Sequence, residues 1–170
     1  LNNKNRDNCI LIACRNGQDE ILDTLLTSMD VETKNTFLTT SAEIDGFYPL
    51  LAATELNRVN CIKVLIKHNA NIEIKTDLDN KIIVGATSLH LASFYGRLEA
   101  LICLIQLGCD LYATTDIDGY NALHIAIKQG HNAVARYLFK YEKLLQMKDN
   151  FNRLPSYYAN SLGNEDILDF

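Results

Sequence analysis

Chemistry would first be sought around two histidines. Thr87, Ser88 and His90 stand together in Gly85-Ala86-Thr87-Ser88-Leu89-His90-Leu91-Ala92. A second stretch, Asn121-Ala122-Leu123-His124-Ile125-Ala126, repeats the histidine at the same place. A hydroxyl beside an imidazole is the pairing used in nucleophilic catalysis, and paired histidines are common metal ligands. Asp116-Ile117-Asp118-Gly119 has the outline of a calcium loop. With Gly119 at the sixth position, the first ligand would be Thr114 and the twelfth Ile125, so the bidentate acid is missing. The five cysteines form no Cys-x-x-Cys pair; Cys9 and Cys14 are five apart, and Cys103 and Cys109 six apart. Neither pair has metal-knuckle spacing. Cys9, near the exposed end, is the one candidate for a reactive thiol. No P-loop, Gly-x-Gly-x-x-Gly, His-Glu-x-x-His or Gly-x-Ser-x-Gly occurs. No catalytic residue, cofactor or metal is therefore assigned, and the chain is not expected to be an enzyme.

The elements that carry these residues recur. Aligning on the small residue after each turn gives Ala13, Ala53, Ala92, Ala126 and Ala159, with spacings of 40, 39, 34 and 33. A period of 33 with longer connections is a repeat signature. The corresponding stretches are Asn8-Cys9-Ile10-Leu11-Ile12-Ala13, Tyr48-Pro49-Leu50-Leu51-Ala52-Ala53 and Leu154-Pro155-Ser156-Tyr157-Tyr158-Ala159. Gly17, Gly96, Gly130 and Gly163 follow the first helices, with Asn57 in the second unit. These are the residue types that adopt positive φ most easily. Second helices are predicted over Glu20–Leu26, Asn60–Ile66, Glu99–Ile105 and Ala133–Phe139.

These motifs resemble the ankyrin repeat, whose Thr-Pro-Leu-His-x-Ala is closest to residues 87–92 and whose Gly-Ala-Asp-Val is closest to Gly108-Cys109-Asp110-Leu111. The resemblance covers essentially the whole chain. It implies an all-α fold: an ankyrin-repeat solenoid of stacked antiparallel helix pairs with β-hairpin or loop fingers. The units fall at about 4–40, 41–79, 80–113, 114–147 and 148–170, the last partial, in a single domain spanning 1–170. One helix pair cannot bury its own apolar face, so each unit depends on its neighbours. Asp45-Gly46 and Asp118-Gly119 mark the finger turns. By the same resemblance Thr87 and His90 bond the turn and bridge to the next unit, Asn121 with His124 mimics that pair, and Cys14 and Cys109 take small-residue slots. Two connections are long: Thr27 to Ala42, rich in Thr and Ser, and Lys75 to Val84. Each is either a tolerated surface loop, since lengthening a loop costs little, or part of a binding face.

Bulk properties narrow the function. A net charge of −5 argues against duplex nucleic acid, which needs a concentrated basic face. No apolar run approaches a membrane-spanning length, so membrane insertion is not expected. The cysteine pattern fits a reducing, intracellular compartment, cytoplasmic or nuclear. The chain begins at Leu1 and ends at Phe170, inside the fifth second helix, so a fragment of a longer protein is expected.

The resemblance places partner contacts on a concave face of finger tips and first helices. The slots there are unusually apolar. Phe47, Leu56, Ile83, Val84, Phe94, Tyr95, Tyr120 and Phe151 form the expected groove, with Glu55 toward one end and Lys128 and Arg153 toward the other. A contiguous apolar patch marks an interaction site, and aromatics are common anchors. The expected function is a monomeric protein–protein interaction module gripping a segment of another protein or peptide, centred on Phe94 and Tyr95. The alternative is a regulatory or substrate-recruiting domain of a larger enzyme, such as a kinase, protein acyltransferase or ubiquitin-ligase component, or of a pathogen effector.

Overall fold

The computed structural model describes residues 8–41, 47–77, 83–163 and Ile167. Its helices are α1 (Cys9–Asn16), α2 (Asp19–Ser28), α3 (Val31–Leu38), α4 (Pro49–Glu55), α5 (Val59–Lys67), α6 (Ser88–Phe94), α7 (Leu98–Gln106), α8 (Ala122–Lys128), α9 (Asn132–Leu138), α10 (Glu142–Gln146) and α11 (Pro155–Leu162). No strand occurs among the described residues. The first helices α1, α4, α6, α8 and α11 pack side by side in one row, and α2, α5, α7 and α9 in a second row behind it.

Sequence accounts for this layering. Ala13, Ala53, Ala92, Ala126 and Ala159 are all buried, and their small side chains let neighbouring first helices approach closely. Leu22, Leu26, Ile62, Leu65, Leu101, Leu104, Val134 and Leu138 fill the space between the rows and join one continuous core. Each buried aliphatic side chain contributes about 1.5–3 kcal/mol. First helices of seven or eight residues are too short to persist alone in water, so this lateral packing holds them.

Each helix pair turns sharply at one residue. Gly17, Gly96, Gly130 and Gly163 have φ of +70°, +66°, +73° and +62°, and Asn57 has +55°. These are the five positions expected from the repeat. At Gly96 an added Cβ would lie 2.6 Å from the His131 ring, so that turn also needs the space.

Of the two expected forms, β-hairpin or loop, the fingers take the loop form among the described residues. They are closed by turn hydrogen bonds, Thr76 N to Ala86 O (2.9 Å) and Thr115 N to Tyr120 O (3.0 Å). Successive fingers are joined by backbone bonds, Asp116 N to Val84 O (3.4 Å) and Asn150 N to Asp118 O (2.9 Å). Close approach requires glycine there: a Cβ on Gly85 would collide with the Asp116 side chain, and one on Gly119 with Asn150. The turn expected at Asp45-Gly46 lies outside the described residues.

The long 27–42 connection is not only loop. It contains α3, capped by Asp30, whose Oδ1 accepts from Thr33 N at 2.9 Å. Thr36, Thr39 and Thr40 return their hydroxyls to carbonyls one turn back. Leu38 is its buried residue, while Val31 is well exposed. Short α10 likewise occupies a stretch that carried no helix expectation.

Candidate partner-binding face

His90 and His124 sit at the third position of α6 and α8, where a side chain reaches back over the helix start. His90 Nδ1 accepts from the Thr87 amide (3.1 Å) and faces the Thr87 hydroxyl (2.9 Å). Its Nε2 donates to Ala113 O of the next finger at 3.1 Å. His124 repeats this, with Nδ1 accepting from Asn121 N (3.3 Å) and Nε2 reaching Arg153 O (3.2 Å). Both ring nitrogens of each histidine are thus occupied, which leaves no lone pair for a metal or proton transfer. Burial pushes the His90 imidazole down to about 4, so it is neutral at pH 7. Burial also lowers His124. Asn121 adds something threonine lacks: its Nδ2 donates to Leu144 O at 3.0 Å, tying the start of α8 to α10 within the same unit.

Cys14, Cys61, Cys103 and Cys109 are held as neutral thiols by burial. All five are free thiols. Burial pushes Cys61 up to about 11 and Cys109 up to about 12, and raises Cys14 further. These are small hydrophobes, not thiolate nucleophiles. Among the described residues no group of three or more His, Cys, Asp or Glu side chains could hold a metal ion. None of the helices there is long and apolar enough to cross a membrane.

The expected groove residues divide into three sets. Phe47 and Tyr120 are corrections, being only 1% and 7% exposed. Phe47 packs with Leu11, Leu51, Ala52, Ala86 and Leu91 in a small second core under the fingers, so it is not available as an anchor. Tyr120 turns its ring against His124 and Tyr158. Phe94 and Tyr95 are not held fully out either. They are half-buried, stacked edge-to-face at 5.1 Å and 81°, and each leans on a different core cluster. Glu55, Ile83, Val84, Lys128 and Arg153 are also half-buried. Leu56 and Phe151 are exposed, at 38% and 56%. Ile117, on the finger beside Phe151, is exposed at 61%.

Several of these residues converge. Ile83, Phe94, Asp118, Tyr120, Ile125, Lys128 and Gln129 line a cleft of about 120 Å³ between the third and fourth units. Beneath it runs a polar chain that sequence did not reveal. Lys128 Nζ donates to Tyr120 Oη (2.8 Å) and sits 4.0 Å from that ring's centre. Tyr120 and Tyr158 hydroxyls are 3.2 Å apart, and Tyr158 donates to Asp149 at 2.5 Å. Asp149 also accepts from the Phe151 and Arg153 amides and from Arg153 Nε (3.1 Å). Burial alone would raise the Asp149 carboxyl, but these donors outweigh it and hold it below its usual range. Arg153 in turn lies over the Phe151 ring at 4.3 Å. The signal available in sequence was Asp149, four residues before Arg153 on a finger, and Tyr158 in a first helix; nothing in their spacing reports that they meet Tyr120.

Comparison with known proteins agrees with this architecture. The family described as ankyrin repeats (3 copies) matches residues 10–115 and 89–170. The chain is 29% identical to ankyrin repeat and SOCS box protein 3 of Bos taurus, over 87% of this chain and 33% of that protein. It is 26% identical to E3 ubiquitin-protein ligase KEG of Arabidopsis thaliana, over 78% of this chain and 8% of that protein. It is also 26% identical to the probable 26S proteasome regulatory subunit p28 of Saccharomyces cerevisiae, over 74% of this chain and 54% of that protein. The chain therefore spans between 8% and 54% of the lengths of these relatives. With its paired helices, left-handed turns and capping histidines, the chain belongs to the ankyrin-repeat family, a protein–protein interaction module that is generally non-catalytic.

Proposed function

We propose that this chain, a single domain of ankyrin units, binds a short apolar segment of another protein along its row of first helices and fingers. The observation that supports this best is the run of apolar side chains on that face. Leu56, the Phe94–Tyr95 pair, Ile117 and Phe151 occur on successive units, where a soluble surface ordinarily carries polar residues. Exposed aromatic and aliphatic anchors of this kind supply most of the energy of an interface. The five free thiols suit a reducing, intracellular setting.

The second reading is a substrate-recruiting domain within a larger enzyme. It is favoured by relatives whose names are a ubiquitin ligase and a SOCS box protein, both much longer than this chain. The same face would then present a substrate to chemistry located elsewhere.

The test is affinity capture of partners by the intact chain, with Phe151→Ala and the Phe94→Ala/Tyr95→Ala double variant as comparisons. Phe151→Ala is expected to weaken capture with the thermal midpoint within about 2 °C of wild type, as surface truncation should. The double variant is expected to abolish capture and to lower the midpoint by several degrees, because both rings are half-buried. Capture unaffected by both variants overturns the reading.

A further inference from the structure

We infer that the cleft between the third and fourth units selects partner segments in which an acidic side chain follows a buried apolar one. This rests on the proposed binding face and specifies the chemistry of its occupant. The apolar half of the cleft is Ile83, Phe94 and Ile125, which suits an aliphatic side chain. The polar half is Lys128. Several cations in the solenoid engage a carboxylate or a backbone carbonyl: Lys67 meets Asp23 at 3.0 Å, Lys75 meets Asp116 at 2.6 Å and Arg153 meets Asp149 at 3.1 Å, while Arg58 and Arg97 donate to Arg15 O and Glu55 O. Lys128, like Lys140, Lys143 and Lys148, is held by neutral groups instead, here the Tyr120 hydroxyl and the faces of Tyr120 and Tyr158, and of these four it is the one that lines the cleft.

That arrangement fixes the ammonium without neutralising it. The Tyr120 hydroxyl accepts from Lys128 and lies 3.2 Å from the Tyr158 hydroxyl, which donates to the buried Asp149. An ammonium has three donors, and the hydroxyl uses one. The remaining donors are available at the cleft, where a carboxylate meets a cation whose ordering cost is already met. Asp118, which also lines the cleft, repels a bare anion but accepts an N–H. A peptide supplies both groups, its main-chain amide for Asp118 and its side-chain carboxylate for Lys128, whereas a small inorganic anion supplies only one.

The experiment uses the full chain and three sets of fluorescent synthetic peptides. Each has a central Leu followed at one to three residues by Glu, Gln or Lys, and binding is read by anisotropy. The Glu set is expected to bind about tenfold tighter than the Gln set, as one charged hydrogen bond implies. Lys128→Gln should erase that preference, so that the Glu and Gln sets bind the variant alike. On the unmodified chain the preference should shrink as salt rises to about 0.5 M, a readout that does not depend on how the variant folds. Equal binding of all three sets, or a preference for Lys, overturns the inference and leaves the apolar face standing. A Glu preference insensitive to both salt and Lys128→Gln also overturns it. Failure of every set to bind overturns the inference together with the binding face beneath it.

Discussion

The two halves of this solenoid stitch neighbouring units together by different means. In the third and fourth units the helix start carries histidine, and each imidazole bridges to the next finger through a hydrogen bond. In the first and second units the same place is taken by Leu11 and Leu51. There a dry cluster with Phe47, Ala52, Ala86 and Leu91 replaces the bridge. Tyr48 starts α4 with no side-chain cap, and Pro49 at the first helical position supplies a preset φ instead. Polar ties join the first two units elsewhere, Arg58 to Arg15 O and Lys67 and His68 to Asp23, but at the helix starts one half relies on shape and area and the other on directional polar bonds. The lesson is that a repeat can exchange a hydrogen-bonded contact for an apolar one without changing its architecture, but not without changing how its stability responds to solvent.

The sharpest way to break this comparison is in the apolar half. Phe47→Ala should cost about 3–5 kcal/mol, the usual penalty for emptying an aromatic site in a core. Urea denaturation should show the same loss at pH 5 and pH 7. A loss that varies with pH would mean the N-terminal half also depends on titrating groups.

The polar half should show the opposite behaviour. His90 is held at about 4 against an ordinary 6.5. Between those values the unfolded chain binds the extra proton, so stability falls as pH drops and is flat above about 6.5. The wild type should lose about 3 kcal/mol between pH 7 and pH 4 from this group alone, and His124, shifted the same way, adds to it. A His90→Gln chain should be less stable at pH 7 yet flatter across that window. An unchanged pH profile would remove His90 from the account.

A smaller effect should come from Tyr158→Phe, which takes one donor from Asp149 while the two backbone amides and Arg153 remain. A loss of about 1–2 kcal/mol is expected, together with a Lys128 ammonium resonance less protected from exchange. A Tyr158→Phe chain as stable as wild type would reduce the polar chain to an incidental contact.

What could be read in advance follows from how each feature is encoded. The buried alanines, the turn glycines with Asn57, and the paired Thr87–His90 and Asn121–His124 caps are local patterns, each tied to a backbone need within a few residues. Helix α3 was hidden because threonines weaken helix propensity. Its hydroxyls back-bond to the preceding turn, and Asp30 caps the start. Phe47 and Tyr120 were misplaced for another reason. A finger side chain points inward or outward according to what the adjacent unit leaves open, and that is information between repeats. The Tyr120–Tyr158–Asp149 contacts span 38 and 9 residues, beyond any periodic pattern.

The glycine seats under the fingers have an evolutionary and engineering corollary. Gly85 receives Asp116 and Gly119 receives Asn150, so half of each joint belongs to one unit and half to the next. A recombination that copies or deletes a unit preserves the array only when donor and recipient carry matching halves. Shuffled libraries cut within the fingers should therefore yield folded chains chiefly where a glycine upstream meets a short polar residue downstream, which makes these joints a grammar for lengthening the array.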